Sequence, residues 1–244
     1  MKNHIWLTGD VHHMTMNGHD QKLMSQKGIK TSEVELCKQY LEISNQYGFE
    51  PTLFFTGKSV EEEGDKIKEL ISKYKFSIGG HTYSAYQPKI LSRISSKLYN
   101  SPYLTYASQK NDIIKTKKII KDRLGIEIKF WRNHGYRSDK NTNNILDSLN
   151  FKYVSNEINQ QNNYEQKTAN NLISRPINTL PDHENMFHST EHKGGISSDK
   201  WISHNIIKVE KIIENKGLAS LLLHPLCMFL EDDFNSMVRL LSAL

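Results

Sequence analysis

The sequence predicts an α/β protein, a distorted (β/α) barrel of about seven parallel strands. Three observations predict it. Short apolar runs of strand length alternate with longer segments of helical period, so each return to the sheet needs a crossover and hence parallel pairing. Seven such runs recur over 244 residues, within the roughly 200–250 residues over which α/β barrels commonly form one domain. Residues capable of acid–base or metal chemistry fall at the C-terminal ends of these runs, the rim where such barrels collect catalytic groups.

The elements follow in order. HIWLTG (4–9) is the first strand and gives way at once to Asp10, His12 and His13. A helix over 32–47 follows, in which Ser32 and Glu35 form a capping box, Val34, Cys37 and Leu41 supply the inward stripe, and Gly48 ends it. TLFFTG (52–57) is the second strand, followed by a helix over 59–74 whose glutamates are placed at the positive end of its dipole. FSIGG (76–80) precedes a long irregular and helical stretch to Leu124. IKFWR (128–132) leads to a helix over 139–149. FKYVS (151–155) and LISRPI (172–177) bracket the Asn-rich segment 156–171, which reads as a surface loop. ASLLLHP (219–225) is the seventh strand, between helices over 203–215 and 232–243. Without an internal repeat or composition break, residues 1–244 are expected to form a single barrel domain.

Composition narrows the function classes. With 24% charged and 37% hydrophobic residues, the chain has the make-up of a globular domain. The formal net charge of +5 is scattered. Lysine-rich KTKKIIKDR (115–123) reads as the solvated face of a helix, and no interleaved aromatics offer a base-stacking platform, so nucleic acid is not an expected partner. Cys37 and Cys227 do not make a disulfide framework, and Cys37 is a buried thiol by its helical spacing. No apolar run approaches the roughly 18 residues of a membrane span. The N-terminus lacks a charged n-region followed by an apolar h-region, so the expected location is cytoplasmic. The sequence gives no handle on oligomeric state.

Asp10 and His12 follow the first strand, His81 follows FSIGG, Arg132 ends IKFWR and His224 ends ASLLL. At these residues the chain resembles the polysaccharide deacetylase superfamily, which includes chitooligosaccharide and peptidoglycan deacetylases. LTGDVHH resembles its first motif, a strand ending in T-F-D-D or D-V-D. GGHTYSAY resembles the second, H-[ST]-x-x-H. FWRNHGY is similar to the third, an Arg-led turn usually written R-x-P, and LLLHP to the last. The motifs occur in the family's order and span residues 8 to 225.

The resemblance implies a deacetylase-type barrel that hydrolyses an N- or O-acyl group of an acetylated sugar or glycan with a divalent metal, zinc foremost and cobalt or nickel as alternatives. It implies Asp10 as general base, His12 and His81 as metal ligands, and Arg132 as the group that orients and charge-stabilises Asp10. His224 would be the general acid, its direction fixed by Leu221, Leu222 and Leu223, and the backbone N–H of Tyr136 would be the oxyanion donor. Trp131 and Tyr136, with Tyr83 as a further candidate, would stack on sugar faces. Two departures stand out. Ala85 occupies the place of the second motif's second histidine, and His134 that of the third motif's proline. A zinc site normally has three protein ligands plus water. Asp10, His13 or the Asp182–His183 pair of LPDHENMFH are the candidates to complete it. His4, His19, His188, His192 and His204 have no supporting context. These departures leave two alternatives open: hydrolysis of a non-sugar linear amide, and a carbohydrate-binding barrel that has lost its chemistry.

Overall fold

Strands buried on both faces are dominated by apolar residues, and LFF in the second strand and LLL at the end of the last have that character. The computed structural model describes residues 4–16, 18–86, 89–186 and 195–244. In chain order the strands are β1 (Ile5–Val11), β2 (Thr52–Phe55), β3 (Ser77–Gly80), β4 (Phe130–Trp131), β5 (Tyr153–Val154), β6 (Gln166–Lys167), β7 (Ile173–Ser174) and β8 (Ala219–Leu222). They form one sheet in the order β6-β7-β5-β4-β3-β2-β1-β8. All seven predicted strands are present and pair parallel with one another. The segment read as a surface loop carries one more, β6, which pairs antiparallel with β7.

The sheet curls into a distorted (β/α) barrel. Among the described residues no backbone ladder joins β7 to β8, and side chains close the gap. Asn178 donates to Leu218 O at 2.9 Å and accepts from the Ser220 N–H at 2.8 Å, while Thr179 donates to Ser220 O at 2.8 Å. A side-chain amide presents the same donor and acceptor as a peptide, so strand-edge groups are satisfied without an extra strand. Glycine admits the interior residues of β3's neighbours: a Cβ on Gly79 would lie 2.4 Å from the Phe54 ring and one on Gly80 2.6 Å from Trp131.

The helices are α1 (His19–Gln26), α2 (Glu33–Gln46), α3 (Gly57–Lys73), α4 (Lys89–Tyr99), α5 (Tyr106–Leu124), α6 (Thr142–Ser148), α7 (Asp182–Asn185), α8 (Ser198–Glu214), α9 (Pro225–Asp232) and α10 (Asn235–Ala243). Ser32 and Glu35 close the predicted capping box on α2, and Val34, Cys37 and Leu41 are buried. Helix α3 starts two residues before its predicted position because Thr56 caps it, so the glutamates at 61–63 lie beyond the first turn and not at the dipole's positive end. The helix predicted over 232–243 is α10, which starts three residues later, and a helix not predicted from the sequence, α9, precedes it. Asp233 and Phe234 adopt φ of 53° and 66°, and this left-handed turn buries the Phe234 ring. Pro225 starts α9 directly after His224, a position where its missing N–H costs nothing. No helix among the described residues is long and apolar enough to cross a membrane.

Candidate metal centre and active site

Parallel pairing puts the ends of β1, β3, β4 and β8 on one rim. His12 follows β1, His81 follows β3, and His134 opens the short 3-10 turn His134–Tyr136 after β4. Ring nitrogens of these three histidines lie within 4.8 Å of one another. Their ring centroids are 5.2 Å (His12–His81), 5.1 Å (His12–His134) and 5.4 Å (His81–His134) apart, with interplanar angles of 66°, 87° and 68°.

Hydrogen bonds behind the rings determine which nitrogen faces the cluster. Glu33, in the first turn of α2, accepts from the His12 backbone N–H at 2.9 Å and from Nδ1 at 3.0 Å. The Arg132 carbonyl accepts from His81 Nδ1 at 2.9 Å. A carbonyl or an ionised carboxylate only accepts, so Nδ1 carries a proton in each ring and Nε2 is the nitrogen left to the cluster. Both Nε2 atoms are buried without a hydrogen-bond partner, a state that costs roughly 1–3 kcal/mol per group unless something fills it. Burial, ahead of all other influences, pushes the His81 imidazole down to about 3 and holds His134 well below the usual imidazole range. Neutral rings with inward lone pairs are what a divalent cation requires, and outer partners such as Glu33 are the usual means of fixing ring and tautomer.

The arrangement adds a candidate third ligand that is not among those expected from the sequence. Asp10 is committed to Arg132, His13 lies outside the cluster with its Nδ1 3.4 Å from Thr56 Oγ1, and Asp182 and His183 group with His224. His134 is the imidazole that lies with His12 and His81. It stands in the loop after β4, the neighbour of the strand that precedes Ala85. Its signal was present in FWRNHGY, where the histidine reads as the loss of a proline and not as the gain of a ligand.

Beside the histidines, Arg132 crosses the barrel interior fully buried. Its Nη1 donates to Asp10 Oδ1 at 2.8 Å, Nη2 to Thr8 Oγ1 at 3.1 Å and to Ser155 Oγ at 2.9 Å, and Nε to the Ser155 carbonyl at 3.3 Å. The guanidinium also lies 4.3 Å from the centre of the Phe54 ring. Burial alone would raise the Asp10 pKa, but Arg132, then His81 and His224, outweigh it and hold the carboxyl well below its usual range. Asp10 Oδ2 stands 3.6 Å from His81 Nε2 and 3.7 Å from His224 Nε2. On the far side of His224, Asp182 accepts from its backbone N–H and from Nδ1. Burial opposes the charged imidazole, yet Asp182 and the other nearby groups raise His224 well above its ordinary value. Asp10, His12, His81, Arg132 and His224 thus meet at one mouth of the barrel.

Trp131 is not at that mouth. Its ring is fully buried, edge-on to Phe151 at 5.3 Å, and its Nε1 donates to Asn133 Oδ1 at 2.6 Å. Strand alternation points it into the core opposite Arg132, so it has no face for a sugar. The backbone N–H of Tyr136 donates to Asn133 O at 2.9 Å inside the 3-10 turn and is not a free oxyanion donor. The Tyr136 side chain remains partly exposed, 6.1 Å from the His183 ring. Tyr83 is covered by Lys115, whose Nζ lies 3.3 Å from the ring centroid, and its hydroxyl donates to Glu61. His188 and His192 lie outside the described residues.

The model of the polysaccharide deacetylase family matches residues 13–154, more than half of the chain. The chain belongs to the polysaccharide deacetylase family. Solved structures agree on the fold at low identity. A protein from Mycobacterium smegmatis provisionally assigned as a polysaccharide deacetylase is 14% identical with a TM-score of 0.74, covering 98% of this chain and 82% of its own. The PuuE allantoinase is likewise 14% identical, with a TM-score of 0.68 and coverage of 98% and 82%. A CE4 family pseudoenzyme from Bacillus anthracis is 14% identical with a TM-score of 0.53, covering 99% of this chain and 61% of its own. No curated protein matches the chain. This polysaccharide deacetylase family member therefore carries two clusters able to hold a metal ion, His12–His81–His134 and Asp182–His183–His224. The first has two buried nitrogens without a hydrogen-bond partner, on His12 and His81, and the second has one, His183 Nδ1. In the second, the strongest donors are already bonded to each other.

Proposed function

We propose that the protein is a metal-dependent hydrolase that removes an acetyl or related N- or O-acyl group from a carbohydrate. The observation that carries this reading is the three-imidazole cluster beside an ionised Asp10, with a raised His224 on the carboxylate's other side. Hydrolysis needs a proton acceptor for the attacking water and a proton donor for the departing nitrogen or oxygen. Asp10, kept charged by Arg132, accepts the first proton. His224, kept charged by Asp182, delivers the second. A divalent cation, zinc foremost with cobalt or nickel as alternatives, would be held by His12, His81 and His134 and would supply Lewis-acid polarisation of the acyl carbonyl and a more acidic water. Arg132 keeps the Asp10 carboxylate oriented toward the cluster, and the Tyr136 ring at the rim is the contact for a sugar face. The departures at Ala85 and His134, together with the likeness in fold to an allantoinase, support a second reading, hydrolysis of a non-sugar linear amide.

The test measures acetate release from N-acetylhexosamine oligomers and ammonia or amine release from small ureides and amides, each with zinc, cobalt or nickel added. Acetate release that Asp10→Asn abolishes supports the first reading. Activity confined to ureides or amides supports the second. No turnover with any metal sinks both and leaves a binding barrel.

A further inference from the structure

Helix α4 is oriented oppositely to a helix that covers a barrel. KILSRISSKLY places Ile90, Ile94, Leu98 and Leu91 on one arc about 100° wide at helical period, and these residues are 66%, 47%, 67% and 52% exposed. The residues it buries are serines, Ser92 and Ser95. That polar face is held by the loop after β4: Arg137 Nη1 donates to Ser92 Oγ at 2.9 Å and Nη2 donates to Ser96 Oγ. The apolar surface continues into Tyr99, Leu104 and Tyr106, which are 61%, 48% and 46% exposed.

Charge narrows what can cover this surface. Lys89, Arg93 and Lys97 form a second exposed arc beside the apolar one, at i, i+4 and i+8, and none is in an ion pair among the described residues. The sequence has no aspartate or glutamate between Glu69 and Asp112. A second copy docked on this face by two-fold symmetry would bring two such unneutralised sets together. Eleven residues rise only about 16 Å, roughly half a bilayer's hydrocarbon core, so the helix is too short to span one. An apolar arc flanked by basic residues, on a helix with no carboxylate of its own, is the pattern of a helix lying in the membrane–water interface.

We propose that α4 docks the protein on an anionic lipid surface, its Ile/Leu arc entering the headgroup–acyl boundary and Lys89, Arg93 and Lys97 meeting lipid phosphates. Arg137, which holds the serine face, directly follows the turn bearing His134 and Tyr136, so the docked face and the barrel mouth share one loop.

The experiment is co-sedimentation of the full chain with vesicles of equimolar phosphatidylcholine and phosphatidylglycerol, and with vesicles of phosphatidylcholine alone. The expected result is binding to the anionic vesicles that salt weakens, with little on neutral ones. Arg93→Gln combined with Lys97→Gln should reduce it by about tenfold or more, and Leu98→Asp should abolish it. Because all three tryptophans are buried, Leu98→Trp adds a reporter at an exposed apolar site, and its emission should shift to the blue on adding anionic vesicles. Absence of binding, equal binding to both vesicle types, or a dimer in solution that Leu98→Asp dissociates would each overturn the proposal.

Discussion

Asp182 holds His224 through two hydrogen bonds, accepting from the backbone N–H at 2.5 Å and from Nδ1 at 2.7 Å. The first fixes where β8 ends and the second fixes the ring, so Nε2 is left for the barrel mouth. Asp182 is fully buried. Burial would raise its pKa, yet His224 and His183 lower it, so the pair is a buried carboxylate facing a charged imidazole.

That pairing has a pH consequence. His224 is raised above its ordinary 6.5, so the stability it contributes is complete below that value and is lost as pH rises through the folded pKa. Asp182 is lowered from 3.8, so its contribution is present above that value and is lost as pH falls through the folded pKa. Asp182→Asn removes the largest influence raising His224. The alkaline limb of kcat/KM should move toward lower pH, read from a pH–rate profile alongside the imidazole resonance of His224. An unmoved limb would mean that Asp182 has only a structural part.

His134→Ala tests the ligand set. Removing one of three protein ligands should lower metal affinity by more than the roughly 10–100-fold that a lost outer partner costs. Metal content after dialysis measures it, with circular dichroism as the check on folding. Stoichiometric metal in that variant would return the third position to another residue.

Glu33→Gln should keep the fold and most of the hydrogen bonding but weaken the orientation of His12. We expect a loss of roughly 10–100-fold in metal affinity, measured by competition with a chelator. Among the described residues the His12 ring is bonded behind by this carboxylate alone, so an unchanged affinity would show that packing orients it instead.

Arg132→Met should destabilise the protein by about 3–5 kcal/mol, because it leaves the Asp10 carboxylate buried without its counter-charge. Denaturant unfolding gives the value. A double variant that also carries Asp10→Asn should recover much of that loss, since both charges are then gone, while remaining inactive.

Trp131 and Tyr136 separate packing from substrate contact. Trp131→Phe should lower stability with little change in KM for an acylated sugar, as its ring is wholly in the core. Tyr136→Ala should raise KM with a smaller change in stability. The reverse pattern in steady-state kinetics and thermal melts would overturn both assignments.

The sequence by itself determined the seven parallel strands, the capped α2, and the placement of Asp10, His12, His81, Arg132 and His224 on one rim. Each rests on local information: strand-length apolar runs, a capping box four residues long, and the rule that parallel strands share one C-terminal edge. Tertiary structure alone decided the third imidazole, because His134 meets His12 and His81 only when β4 lies beside β3 and the sheet has curled. It also decided the parts of Glu33 and Asp182, two carboxylates that lie 21 and 42 residues from the histidines they orient. Trp131 shows the same limit from the other side. Its position beside Arg132 suggests the rim, but successive strand residues point to opposite faces, and only the packed barrel says which face is the core.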